Sequence, residues 1–326
     1  MNYPTIVLKP KRSESLRRRH PWVFSGAIDK ILLNEEEEDL QEGDLVEVVD
    51  SNEKPLGVGH FAEGSIAVRM ITFKKEKIDE YFWEQKIRNA YNLRIELQLA
   101  KSHVTTCYRL IHAEGDGLPG LIIDIYGKVA IVQAHSLGFA NSLQHITTAI
   151  KTVMGDCIDA VYSKSEKTLH QQGETSVEDG YLLGEEESPQ IVLENGLQFE
   201  IDWINGQKTG FFIDQRFNRE LLKTYSKGKK VLNTFCYSGG FSVYALAAGA
   251  AEVHSVDSSA KAIVLADRNV EVNFGKVKNH KSFAKDTLKF LNETEETYDT
   301  IILDPPAYAK SKSAQHKAVQ GYKRLN

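Results

Sequence analysis

Between Gly43 and Phe73 the apolar positions fall into three short runs, DLVEVVD, PLGVGHF and SIAVRMITF, alternating or β-branched and broken by glycines and by the turn chemistry of Asn52–Pro55. This pattern predicts a small β-rich module. Together with the segment before it, it gives a first domain over residues 1–73, compact enough to be a barrel with one charged flank. The period then changes. Asp79 is placed to cap a helix whose apolar positions Phe82, Trp83, Ile87, Ala90 and Tyr91 form one stripe, running to about Ala100.

Beyond that linker helix, YRLIHAE, LPGLIIDIY and VAIVQAHS between Tyr108 and Ser136 read as strands, Asn141–Met154 as a helix and Asp159–Ser163 as a further strand. These elements make an α+β middle domain, which with the helix occupies residues 74–190. Glu166–Ser188 is polar and without apolar period, so a surface excursion is expected there. Val192–Trp203 is a hairpin about Asn195-Gly196, and Asp214 is expected to cap a helix through Phe217, Leu221, Leu222 and Tyr225, ended by Gly228. From there strands (Val231–Phe235, Glu252–Asp257, Thr300–Leu303) alternate with helices (Phe241–Ala248, Ala260–Asn273). The fold class predicted for residues 191–326 is a doubly wound, Rossmann-like α/β sheet.

Composition narrows the classes. Of 326 residues, 41% are hydrophobic and 26% charged, which excludes a disordered or fibrous chain. No stretch reaches the roughly 20 apolar residues of a membrane span, and Met1–Pro10 lacks a secretory core, so a cytoplasmic protein with no membrane partner is expected. Cys107, Cys157 and Cys236 form no CxxC pair and build neither a disulfide framework nor a zinc cage. His112, Glu114 and Asp116 lie close together, but at a strand end followed by a turn, and no metal is assigned to them.

The net charge of −5 matters less than its segregation. Lys9, Lys11, Arg12, Arg17, Arg18 and Arg19 face a single acid, Glu14, and Glu35–Asp39 is an unbroken acidic run. The basic arm reads either as a surface for a polyanion or as a solvated loop. The cluster His20–Phe24 reads either as a base-stacking platform or as a core anchor, and Trp22 is assigned as an anchor.

The chemistry concentrates in the last third. The first strand of the sheet ends in Val231-Leu-Asn-Thr-Phe-Cys-Tyr-Ser-Gly-Gly-Phe241, a corner with two glycines where backbone can approach a ligand. About 20 residues on, Asp257 ends the second strand, where a carboxylate can accept both hydroxyls of a ribose. Neither G-x-G-x-x-G nor G-x-x-x-x-G-K-S/T occurs, which favours a nucleoside without a pyrophosphate. S-adenosylmethionine is such a molecule: its methionine end suits the amides of Ser238–Gly240, and Asp286, which follows Phe283 as at the end of a third strand beside a helix start, can accept from its adenine amine. Ile301-Ile-Leu-Asp-Pro-Pro-Ala-Tyr308 ends a strand in an acid followed by two prolines, so Asp304, Pro305 and Pro306 form a stiff extended corner.

With NTFCYSGG as a first cofactor motif and DPPAY as a fourth, the chain from Ile191 onward resembles a class I S-adenosylmethionine-dependent methyltransferase. KPKRSESLRRRHPWVFSGAI, Lys9–Ile28, resembles the start of an RNA-binding PUA module, and QKTGFFIDQR, Gln207–Arg216, the element that precedes the first methyltransferase strand. Together they resemble the bacterial 23S ribosomal RNA (cytosine-5)-methyltransferase family. The resemblance implies cofactor contacts from Phe212, Gln215 and Arg216, from Asn233, Thr234, Phe235, Tyr237, Ser238, Gly239 and Gly240, and from Asp257 and Asp286. It implies Asp304, with Pro305 and Pro306, facing the target base; the basic arm, by its charge, offers Lys11, Arg12, Arg17, Arg18 and Arg19 as RNA contacts.

One departure is expected to matter. Cytosine C5 is a poor nucleophile, and its methylation needs a thiolate at C6 while an acid, here Asp304 with its pKa raised by burial, assists at N3. In the resembled family that cysteine belongs to a later motif. Four strands are predicted where such a sheet has seven, so the chain reads as truncated after the fourth, with Cys236 a packing residue and the nucleophile beyond Asn326. Two alternatives stay open: methylation of an exocyclic amine, which needs no cysteine, and a non-catalytic RNA-binding or assembly protein with a vestigial methyltransferase fold.

Overall fold

The computed structural model describes residues 3–33, 39–170, 177–309 and 315–325. Glu35–Glu38 of the acidic run therefore lie outside the described residues. The chain forms two compact units, Met1–Ser188 and Pro189–Asn326. No described helix is long and apolar enough to cross a membrane.

The first unit opens with β1 (Thr5–Leu8), α1 (Glu14–Arg17), β2 (Trp22–Phe24), β3 (Ile28–Leu32), β4 (Leu45–Val49), β5 (Pro55–Phe61) and β6 (Ile66–Thr72), which make a six-stranded sheet in the order β2-β6-β5-β4-β1-β3. Only β1 and β4 pair in parallel. Ile6, Leu8, Leu16, Val23, Val46, Val48, Val68 and Met70 fill its core. Gly57, at φ +146°, has no room for a side chain, because a Cβ there would lie 2.1 Å from the Thr72 carbonyl. The anchor assignment of Trp22 is corrected. Strand alternation buries Val23, leaving Trp22 half-buried and Phe24 exposed on the opposite face.

The same unit continues with α2 (Glu80–Glu96), capped by Asp79, whose side chain accepts from the Phe82 N–H at 3.2 Å. Then come β7 (Cys107–His112), β8 (Leu121–Tyr126), β9 (Val129–Ala134), α3 (Leu137–Asn141), α4 (Leu143–Met154), β10 (Ala160–Ser163), α5 (Glu166–His170) and β11 (Gly180–Leu183). The sheet order is β11-β10-β9-β8-β7, and its core includes Trp83 and Ile87 of α2 and Ile146 and Ile150 of α4. The surface excursion expected over Glu166–Ser188 is corrected in part: it contains α5 and an edge strand that pairs antiparallel with β10 and sets Tyr181 against Tyr162, ring centroids 5.0 Å apart. Asp116 is engaged by Arg94, two bonds of 2.6 and 2.7 Å, and accepts from the His112 N–H. His60 of β5 lies buried beneath α3, its ring 5.0 Å from that of Phe139, and a Cβ on Gly138 would fall 2.2 Å from its Cγ. Burial pushes the His60 imidazole down to about 4.

The second unit begins with the hairpin β12 (Gln190–Glu194) and β13 (Leu197–Ile201), turned by Asn195 and Gly196 at φ +50° and +81°, the left-handed pair that a two-residue hairpin favours. Next come α6 (Arg216–Leu222), β14 (Lys230–Thr234), α7 (Gly240–Ala247), β15 (Glu252–Asp257), α8 (Ala260–Phe274), β16 (His280–Ala284), α9 (Thr287–Glu293), β17 (Thr300–Leu303) and α10 (Gln315–Leu325). Strands β14 to β17 form an all-parallel sheet in the order β16-β15-β14-β17. Asn269 and Asn273, one turn apart on α8, accept from the Glu200 and Gln198 N–H groups and so tie the hairpin to the sheet's helical layer.

The start of α6 differs from expectation. Asp214 sits inside a 3₁₀ turn, Ile213–Gln215, and does not cap the helix. The buried face of α6 carries Arg216, Arg219 and Leu222, while Phe217 is 82% exposed and Leu221 and Tyr225 are also exposed. The reason is the partner: the helix packs onto the buried carboxylate of Glu194, so its charged side turns inward.

Candidate active site

In an open parallel sheet the strand order reverses between the first strand and its neighbour on the other side, and ligands bind beyond the carboxyl ends at that point. Here the reversal lies between β14 and β17. The ends of β17, β14, β15 and β16 therefore line up in that order, carrying Asp304, the corner Phe235–Gly240, Asp257 and Asp286 on neighbouring strands about 4.8 Å apart.

The corner after β14 is held in an unusual backbone. Phe235 and Tyr237 have φ of +53° and +43°, and Gly239 has +69°. Non-glycine residues persist there only when their surroundings hold them. Asp257 does so: its Oδ2 accepts from the Tyr237 N–H at 3.0 Å and its Oδ1 from the Ser259 N–H at 2.9 Å. Each oxygen keeps a second lone pair, and the residue is only half-buried, so the carboxylate can still accept from a ligand hydroxyl. Gly239 serves packing, since a Cβ there would stand 2.8 Å from that of Ala266 on α8.

The segment Gln207–Arg216 folds over the corner. The Tyr237 hydroxyl accepts from the Gln207 N–H at 3.0 Å and donates to the Gly210 carbonyl at 3.4 Å, and the Phe212 ring stands edge-on to Tyr237 at 5.4 Å. Phe211, the residue before Phe212, turns into the core against Phe199. The Gln215 side chain accepts from Asn218, and Arg216 is buried and bonded to Glu194 at 3.1 Å. Arg219 lies beside it and donates to the Phe212 carbonyl at 3.0 Å.

Beneath the corner runs a file of polar side chains. The Asn233 amide donates to Ser242 at 2.9 Å, Ser242 meets Ser255 at 2.7 Å, and Ser255 meets His280 at 2.8 Å. Asn233 is thereby directed into the sheet's interior, and its Oδ1 is buried without a partner among the described residues. Thr234, also buried, donates to the Ile302 carbonyl at 2.7 Å and joins β14 to β17. Ser238 is buried, and its carbonyl accepts from Asn269.

Two carboxyl groups complete the rim. Asp286 caps α9 by accepting from the Lys289 N–H at 3.0 Å. Asp304 remains solvent-accessible, yet partial desolvation at the strand end and then the Asp214 carboxylate push its carboxyl above the ordinary range. Cys236 is a different environment: it packs against Ile263 and Ala266 on the α8 side, and burial followed by Asp257 pushes its thiol upward, away from the thiolate. A rim of Asp214, Asp257, Asp286 and Asp304 with an aromatic wall suits a cationic nucleoside.

In the first unit the basic residues gather around α1. Arg17 is tied to Asp50 at 2.6 Å, while Lys11, Arg12, Arg18 and Arg19 are exposed and make no ion pair among the described residues. The residues that sequence reasoning passed over are Glu194, Arg219 and Tyr244, which form one buried group. The signal was present: Glu194 has the inward phase of its hairpin strand, set by Val192, and Arg216 and Arg219 stand three apart on one helix face.

Two families match the chain, and the second match begins inside the first unit, at β7. A PUA-like domain matches residues 6–73, and the S-adenosylmethionine-dependent methyltransferase family matches residues 109–326. The ribosomal RNA large subunit methyltransferase I of Photobacterium profundum is 39% identical over 328 residues, covering 99% of this chain and 81% of its own length. Its counterpart in Shewanella denitrificans is also 39% identical, covering 98% and 80%. Among solved structures, one from Streptococcus mutans assigned to the SAM-dependent methyltransferases superposes with a TM-score of 0.80 at 25% identity, over 99% of this chain and 83% of that one. A second, complexed with SAH, gives 0.81 at 24% identity over 98% and 82%, a likeness of fold.

Proposed function

From the premise that the chain belongs to the S-adenosylmethionine-dependent methyltransferases, in the family of the large-subunit ribosomal RNA methyltransferases I, we propose that it methylates C5 of a cytosine in 23S ribosomal RNA. The observation that carries this reading is the bond between Asp257 and the Tyr237 N–H, which joins a ribose acceptor to the strained corner on the adjacent strand. Asp257 would take the ribose hydroxyls, the amides from Ser238 to Gly240 the methionine end, and Asp286 the adenine amine. Phe212 and Tyr237 would wall the crevice, with Gln215, Thr234 and Phe235 shaping it, and Asn233 and Arg216 would act from behind it. When bound, S-adenosylmethionine supplies a methyl group made electrophilic by its sulfonium.

Asp304, on the neighbouring strand end and stiffened by Pro305 and Pro306, would meet the target base. Its raised pKa suits an acid that shares a proton with N3. A base stacked in RNA cannot reach such a corner, so it must be flipped out, and the basic residues around α1 would add affinity for the RNA backbone. The C6 thiolate that C5 chemistry requires is not Cys236, whose buried thiol is held protonated. That observation keeps methylation of an exocyclic amine, which needs no thiolate, as the second reading.

Mass spectrometry of nucleosides from 23S ribosomal RNA of a strain lacking the gene decides between them. Loss of one 5-methylcytosine, restored by the intact gene, is expected. Loss of an N-methylated base would establish the amine reading, and an unchanged nucleoside set would remove the enzymatic one.

A further inference from the structure

We propose that the cleft between α1 and β2 is a stacking site for a single unpaired nucleobase of RNA, a role that rests on the RNA-binding reading above and specifies which form of RNA this face selects. The cleft has a volume of about 250 Å³, with Arg12, Ser15 and Leu16 on its helical side and Trp22, Phe24 and Gly26 on its strand side.

Three rings occupy alternate positions along this stretch. His20 lies 5.6 Å from Trp22 and Trp22 6.4 Å from Phe24, both edge-on, while His20 and Phe24 face one another more nearly, 34° apart at 6.2 Å. The Trp22 backbone N–H donates to the His20 Nδ1 at 3.2 Å and so holds the first ring in place. Phe24 leaves 49% of its surface in water, although Val23 beside it is buried. An apolar ring held outward, edged by others and beside guanidinium groups without acidic partners, presents the combination that binds single-stranded nucleic acid: π-faces for bases and positive charge for the backbone.

Charge decides the class of partner. Arg12, Arg18 and Arg19 are exposed and without ion pairs among the described residues, which excludes a basic or neutral apolar peptide as the better fit. The rings decide the form of the nucleic acid. A duplex keeps its base faces inside the stack and offers only phosphate and groove, so arginines alone would serve it, whereas an exposed phenylalanine gains contact only from a base out of its stack.

Equilibrium binding of the full chain, without S-adenosylmethionine, to an unstructured ten-nucleotide RNA and to a blunt ten-base-pair RNA duplex tests this. Trp83 and Trp203 are fully buried, so quenching of indole fluorescence reports on Trp22. The single strand should quench it, and Phe24→Ala should weaken single-strand binding about tenfold while moving duplex binding less than twofold. Phe24→Tyr should restore it. If Phe24→Ala leaves single-strand affinity within twofold while Arg18→Ala with Arg19→Ala still weakens it, the stacking site is wrong and the RNA-binding reading stands. If the intact chain binds neither RNA, both are overturned.

Discussion

Arg219 grips both oxygens of Glu194, Nε to Oε1 at 2.7 Å and Nη2 to Oε2 at 2.8 Å, with both side chains almost wholly buried. Arg216 and the Tyr244 hydroxyl bond the same carboxylate. The remaining Nη1 of Arg219 reaches the Phe212 carbonyl, and its Cδ lies 3.0 Å from where a Cβ on Gly240 would stand. One carboxylate thus joins the hairpin, α6, the segment over the corner and the start of α7. Glu194→Ala strands two buried guanidinium groups, and about 3–5 kcal/mol of stability should be lost, read as a fall in the urea midpoint. Glu194→Gln, which keeps the shape and some of the bonds, should lose less; equal losses would show that the charge is not what matters.

Asp257 is expected to govern cofactor affinity. Asp257→Ala removes the acceptor for the ribose and releases the Tyr237 N–H, and calorimetry with S-adenosylmethionine should show binding about a hundredfold weaker. Affinity for RNA should stay within twofold. A variant that still binds the cofactor normally would dissociate this carboxylate from the site.

Asp304 is expected to act on the base and not on the cofactor. In the deletion strain, a gene carrying Asp304→Asn should fail to restore the methylated nucleoside, while the purified variant binds S-adenosylmethionine within about threefold of the intact protein. Restored methylation would remove Asp304 from the chemistry.

The arginines of the basic arm divide by their partners. Arg18→Ala with Arg19→Ala should weaken RNA binding and reduce the slope of log affinity against log salt by about 1.5, as two lost phosphate contacts require. Arg17→Ala should change that slope less, because Arg17 is engaged with Asp50. A slope indifferent to Arg18 and Arg19 would assign the RNA contact elsewhere.

His60 gives the first unit a pH dependence. Its folded pKa of about 4 lies below the value near 6.5 of an unfolded histidine, so its contribution is complete above that upper value. The contribution is lost as pH falls toward the folded value, because the unfolded chain takes up the proton first. The loss amounts to about 3 kcal/mol by pH 4. Urea midpoints of the intact protein should fall through this window more steeply than those of His60→Leu; parallel curves would contradict the assignment.

Much of this arrangement was legible in the sequence because it depends on local rules. Asn195-Gly196 marks its turn, Asp79 its cap, and the spacing of Asp257 and Asp304 to their strands marks the crevice without tertiary information. The readings that failed depended on what lies across the interface. Phe217, Leu221, Leu222 and Tyr225 marked a helix, but of the four only Leu222 is buried, because the surface opposite α6 is a carboxylate and the arginines turn inward. Trp22 looked like an anchor from its place directly after the charged segment, and strand parity gave the fully buried position to Val23. The edge strand Gly180–Leu183 is four residues in a polar stretch, defined by its pairing with β10 more than by its own pattern.

The polar file from Asn233 through Ser242 and Ser255 to His280 links three strands of the sheet to α7, and each member bonds the next. Replacing one of them with an apolar residue orphans its neighbour, a penalty of about 1–3 kcal/mol, whereas exchanging all four together leaves nothing behind to solvate. Redesign of this sheet therefore has no gradual route through these positions: they must be rewritten as a block, and stepwise repacking will stall at its first move.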